Sequence, residues 1–290
     1  MDIMKIGDGE GEISPSKLHF NEVYFQYFIP VGHRVFAAFE LEQEAILKKG
    51  FLVTFDNKWQ FKSSVPLPLL GENTMRPTAC LLGGPQGKRL LMLGGRQDRS
   101  SQMYSFKDNK WQLSPKLPLG HNITTNITVN WCDKACFTFI IDAMLTVKSA
   151  VLDLEKATWT EQTTENTEEM QWALQWEQSV HKIDRLHLKT ALVLQNKNIA
   201  VVARGRSEGM IEQISGLVLH FAVKKNEANQ YILEHVVTQR VFPSIFCRQL
   251  DFAQRVRNKL VITQDTADEE KFEAFSIDLT PGVFRIDGVC

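Results

Sequence analysis

A tryptophan-centred motif recurs along the chain, and its period limits the fold more than any other feature. Val53–Phe61, "VTFDNKWQF", and Tyr104–Leu113, "YSFKDNKWQL", are near copies, and Leu152–Glu161, "LDLEKATWTE", is a weaker third. Trp59, Trp111 and Trp159 therefore stand about 50 residues apart, a period that suits four short strands and their turns. Ahead of each tryptophan lie two apolar runs around a turn: "EVYFQYFIPVGHRVFAAFEL", "TACLLGGPQGKRLLMLGG" and "ITVNWCDKACFTFIIDA", the last bending at Asp-Lys-Ala. Each reads as a β-hairpin. The same shape returns twice without its tryptophan, in "HLKTALVLQNKNIAVVARG" and "RQLDFAQRVRNKLVITQD". Candidate third and fourth strands follow both.

Five units result, each with two inner strands, a third, and an outer fourth. Val, Ile, Phe and Leu crowd the inner hairpins, as in strands covered on both faces, whereas outer strands such as "KWQLSPK" and "TWTEQTT" are polar. A lone four-stranded sheet cannot bury both of its faces, but sheets set radially cover one another. The expected fold is therefore an all-β propeller of five four-stranded blades. Residues 1–15 form a flexible lead, and 16–290 form one propeller with blades near 16–68, 69–118, 119–164, 186–240 and 241–290. The segment 165–185, "ENTEEMQWALQWEQSVHKIDR", has no equivalent elsewhere. It is read as a short helix, an extra strand pair or a protruding loop. Trp172 and Trp176 share a face if it is helical, and a sixth degenerate blade is the alternative count.

Leu90–Gly95 followed by Tyr104, Trp111 and "KLP" resembles a nearly complete kelch repeat. The resemblance implies that Gly94 and Gly95 end the second strand, where lack of a side chain permits close approach. It also implies that Tyr104 and Trp111 lie on the third and fourth strands and fill space between blades. The other units carry the period without the double glycine: "FELEQ", "IIDAM", "VARGR" and "ITQDT" stand in its place.

The chain carries 33 basic and 34 acidic side chains, a balance that provides no global field for nucleic acid or an anionic membrane. Its first residues lack a basic stretch leading into an apolar one, and no run reaches the roughly 18 apolar residues of a membrane span. The expected location is cytoplasmic, or secreted if the N-terminus is a processed one. Five cysteines are too sparse for a disulfide scaffold. Cys132 and Cys136 are read as two half-buried strand cysteines, with a disulfide over the short turn as the alternative. Zinc would need two further ligands at suitable spacing, so no metal or cofactor is expected. Asn122-Ile-Thr and Asn126-Ile-Thr are glycosylation sequons.

Propeller ligands meet loops at one mouth, and the kelch resemblance directs attention to the loops between second and third strands. Those loops offer Glu40, Glu42 and Glu44, then Arg96, Asp98 and Arg99, then Asp142, then Arg204, Arg206 and Glu208, then Gln264, Asp265 and Asp268. Arg96 and Arg204 follow matching strands, so a pair of guanidinium forks can grip a carboxylate or an acidic peptide. Solvation of the surface is the competing explanation of such charges. The seven histidines are scattered, and no nucleophile elbow, Walker loop or zinc-protease motif occurs. The expected function is a non-catalytic scaffold that recognises a protein or peptide. The alternatives are an isomerase, lyase or hydrolase with a polar site at the mouth, or a sugar-binding lectin.

Overall fold

The structure is a computed structural model describing residues 25–41, 47–58, 60–68, 78–83, 87–93, 101–114, 117–119, 126–180, 183–207, 214–241, 250–256, 259–265, 272–278 and 286–289. The repeat unit is an antiparallel meander. In unit 1 (Met1–Lys116), β1 (Phe25–Gly32), β2 (Val35–Leu41), β3 (Leu47–Phe55) and β4 (Phe61–Pro66) form one sheet. There β5 (Thr78–Leu82), β6 (Arg89–Leu93), β7 (Ser101–Ser105) and β8 (Lys110–Ser114) form a second, and both keep their strands in chain order. Unit 2 (Leu117–Cys290) contains β9 (Asn126–Cys132), β10 (Ala135–Ile141), β11 (Val147–Asp153), β12 (Thr158–Thr164) and α1 (Glu168–Val180). It continues with β13 (Ile183–Val193), β14 (Ile199–Ser207), β15 (Ile214–Lys225) and β16 (Tyr231–Val241), then β17 (Leu250–Val256), β18 (Lys259–Asp265), β19 (Phe272–Asp278) and β20 (Ile286–Val289).

Among the described residues the chain is all-β apart from α1. The meanders β9–β12 and β13–β16 join into one eight-stranded sheet through a short parallel bridge, Thr163 to Ile232 and Thr164 to Leu233. The chain divides into two compact units two residues beyond β8. Gly94, Gly95 and Trp59, and the residues 1–15, lie outside the described residues.

Burial follows strand rank. All of β6 and β10 is buried, all of β4 is exposed, and β12 is mostly exposed. Inner strands lose both faces to protein and so are mainly apolar, with Arg89 on β6 and Thr138 on β10 as buried exceptions, while outer strands keep polar side chains. In unit 1 the two sheets share a core of Val31, Ala37, Phe39, Leu67, Leu90, Met92 and Tyr104. Gly50 sits opposite Phe39 on the neighbouring strand, and a Cβ there would come within 2.7 Å of the Phe39 ring. The glycine leaves room for the aromatic ring to lie over its backbone. In unit 2, alternate residues of β9–β11 and β13–β15 pack with Met170, Ala173 and Leu174 of α1. Phe139 and Phe221 stack at 5.8 Å, and Tyr231 meets Phe137 edge to face at 5.4 Å.

One hairpin device recurs. The residue after a strand accepts amides two and four positions on: Asp56 from Lys58 and Gln60, and Asp142 from Met144 and Thr146. Asn226 takes the Gln230 amide in the same way. Asx side chains mimic a backbone acceptor in this role.

Candidate functional site

Asp142 is the only expected rim residue whose side chain is described. Its Oδ1 accepts the Met144 and Thr146 amides at 3.0 and 2.9 Å, and Oδ2 pairs with Lys148 at 3.1 Å. These contacts make it an organiser of its own turn. Arg96, Asp98 and Arg99 lie outside the described residues. Arg204 and Arg206 are strand residues and not loop residues, because β14 runs on to Ser207 with backbone partners in both β13 and β15. Gln264 and Asp265 likewise close β18, opposite Glu273 and Phe272 of β19.

Correcting those strand ends brings basic residues together that the sequence keeps apart. Register sets Arg185 opposite Arg206 and His187 opposite Arg204. The intervening Leu186 and Leu188 go to the core of unit 2, as does Ala203 on β14. Arg185 and His187 escape sequence reading because their pairing depends on two register shifts in β13.

A second group also forms only in the fold. His220 of β15 is fully buried, and its Nε2–H donates to Gln239 Oε1 at 2.6 Å, while Nδ1 has no partner. Burial lowers its pKa, His235 adds to the shift, and the bond to Gln239 opposes it. His235 of β16 lies between two hydroxyls, with Nδ1 2.7 Å from Thr167 Oγ1 and Nε2 2.9 Å from Thr238 Oγ1. Burial lowers its pKa as well, against the pull of Glu169 and Glu165. Thr167 Oγ1 also accepts the Met170 amide at 3.2 Å, the capping bond of α1. Glu165 and Glu169 accept the His235 and Thr238 amides at 3.0 and 3.4 Å. The group ties the start of the helix to β16. Among the described residues no set of three His, Cys, Asp or Glu is placed to hold a metal ion.

Cys132 and Cys136 are thiols and form no disulfide. Cys132 is half-buried opposite Ala135, and Cys136 is buried opposite Asn130, so the register does not set one against the other. Tyr104 and Trp111 are cross-strand partners on β7 and β8, with ring centroids 5.2 Å apart. Trp111 reaches the core shared by the two sheets of unit 1, and its Nε1–H donates to the Pro68 carbonyl at 2.9 Å. Trp159 holds the matching place on β12, opposite Leu152, and packs with Leu117 and Leu119. Its Nε1 has no acceptor.

No protein-family model matches the chain. No curated protein sequence matches it either. Solved structures do resemble it. The exo-β-1,3-galactanase of Phanerochaete chrysosporium has a TM-score of 0.55 at 11% identity, over 90% of this chain and 61% of that one. The WD40 domain of SCAP from fission yeast has a TM-score of 0.38 at 13% identity, over 95% and 69%. The β-propeller domain of the Trilobed protease from Pyrococcus furiosus has 0.35 at 9%, over 93% and 72%. At such identities the likeness concerns fold alone, and the chain spans about three-fifths of the galactanase.

Proposed function

We propose that the chain is a non-catalytic binding or scaffold module of the cytoplasm, a five-bladed, kelch-like propeller that takes a protein or peptide partner at one mouth. The observation that carries this reading is the register of β13 and β14, which sets Arg185 opposite Arg206 and His187 opposite Arg204. Like charges set opposite each other weaken a sheet, and an anion held between them relieves that cost. Planar guanidinium groups bind carboxylates through paired hydrogen bonds. The partner therefore contributes an acidic side chain or a terminal carboxylate. Arg96, beyond β6 in the matching connection of the second repeat, is proposed as a further grip.

The test is affinity capture from the native source by the wild-type chain and by the double variant Arg96→Ala, Arg204→Ala. The variant should lose the partner. An unchanged capture profile counts against the rim.

A further inference from the structure

The turns that join first to second and third to fourth strands in unit 1 lie together at one end of its two sheets. The Phe55 amide donates to the Arg34 carbonyl at 2.9 Å, which links the β1–β2 and β3–β4 turns. The Phe106 amide donates to the Lys88 carbonyl at 3.4 Å, which links the β5–β6 and β7–β8 turns. Lys88 Nζ then donates to the Val31 carbonyl at 2.8 Å and ties the two sets to each other.

This end is basic. Lys58, Lys88, Lys107 and Lys110 are all exposed on it, beside the carboxylates of Asp56 and Asp108. Both carboxylates shape their own turns: Asp56 accepts the Lys58 and Gln60 amides, and Asp108 accepts the Ser105 hydroxyl. Among the described residues, no lysine of this end takes part in an ion pair. The corresponding turns of unit 2 pair their charges, Lys134 with Glu155 at 3.1 Å and Lys156 with Asp153 at 3.9 Å. The difference is written into the repeat. "DNKW" occurs at Asp56–Trp59 and again at Asp108–Trp111, which sets Lys58 and Lys110 at matching corners of the two meanders, whereas Thr158 precedes the tryptophan of the third copy.

Lysine carries a compact, hydrated charge on a flexible stem, so lysines spread over several turns suit a run of negative charge better than one rigid group. The described aromatic rings at this end pack on one another, Phe36 on Phe55 at 5.6 Å and Tyr104 on Phe106 at 5.0 Å, and none of the four is exposed. Single-stranded nucleic acid stacks its bases on open rings, which these four do not offer. We propose that the turn end of unit 1 is a docking surface for an acidic segment of a partner protein, a stretch rich in aspartate or glutamate. The lysines set the sign of the field that draws the segment in. The β6–β7 connection that bears Arg96 leaves its sheet at the other end of the strands, so this surface is distinct from the rim.

The experiment is fluorescence anisotropy of labelled polyglutamate with the full chain carrying Arg96→Ala and Arg204→Ala, so that the rim adds nothing to the signal. Polyglutamate should bind, and polylysine of the same length should not. Binding should weaken as salt is raised from about 0.01 M to about 0.15 M, which shortens the screening length from about 30 to about 8 Å. Lys58→Glu with Lys110→Glu should weaken it at least about tenfold, because like charges then face the ligand. Lys134→Glu with Lys156→Glu, the same change of net charge in the corresponding turns of unit 2, should leave it at the parent's value. If the first reversal lowers the melting temperature, the neutral pair Lys58→Gln with Lys110→Gln should still show a loss. Absence of polyglutamate binding, parental affinity in the neutral pair, or equal loss from the two reversals overturns the proposal. So does tighter binding of labelled polyuridylate that the same lysine changes abolish, which assigns this end to RNA. Partner capture by the chain with and without Arg96→Ala and Arg204→Ala bears on the rim alone, so the two readings fail separately.

Discussion

His220 and His235 face different demands on neighbouring strands. The first is enclosed with one ring nitrogen unpartnered, and the second is held between two threonine hydroxyls. Burial lowers both pKa values. A histidine in the unfolded chain takes up its proton near pH 6.5, whereas these two take it up only at lower pH. The unfolded state therefore binds more protons below about pH 6.5, and stability present above that value is lost as the pH falls. The urea midpoint should drop between about pH 7 and pH 5, and His220→Gln should flatten that drop. A midpoint that holds or rises on acidification removes this account. Neither histidine stands out in the sequence, because their approach depends on a β15–β16 register with a shift at His220 and Phe221. Trp111 is the contrary case, since its place opposite Tyr104 follows from a motif quoted whole from the chain.

A Leu-Pro-Leu tripeptide occurs twice in the chain. It follows a fourth strand at Leu67-Pro68-Leu69 and again at Leu117-Pro118-Leu119. Leu67 enters the core that Trp111 borders, and Leu117 and Leu119 enter the one that Trp159 borders. Only the first tryptophan completes the contact with a hydrogen bond, to the Pro68 carbonyl. Trp111→Phe should cost about 1 kcal/mol for that bond, and Trp111→Ala about 3 kcal/mol once the packing is lost too. Denaturant titration measures both; a Trp111→Phe variant as stable as wild type would mean that the bond contributes nothing, and equal costs that the ring packing contributes nothing. Elements differ in how plainly the chain announces them. The inner hairpins show themselves through unbroken apolar runs. The insertion does not, because its paired tryptophans suggest a helical face while Met170, Ala173 and Leu174 form the buried one. The end of β14 is hidden as well: "ARGRS" has the composition of a loop, yet both neighbours pair with its backbone.

In the proposed propeller, five meanders close around one axis, which makes a definite demand on size. A compact chain of this length has a radius of gyration of about 19 Å. Small-angle scattering from the dilute protein should return that value. A value several ångströms larger would refute a closed ring. The all-β character and the four-strand repeat are properties of the sequence alone, because alternation, turn residues and the tryptophan period are local and survive in one dimension. The joining of β12 to β16, the helix of the insertion and the grouping of Arg185, His187, Arg204 and Arg206 were decided in three dimensions. Each depends on how far a strand extends and on which register it takes. A shift of one residue exchanges the faces of a strand without changing its composition, so only packing between elements selects among the registers.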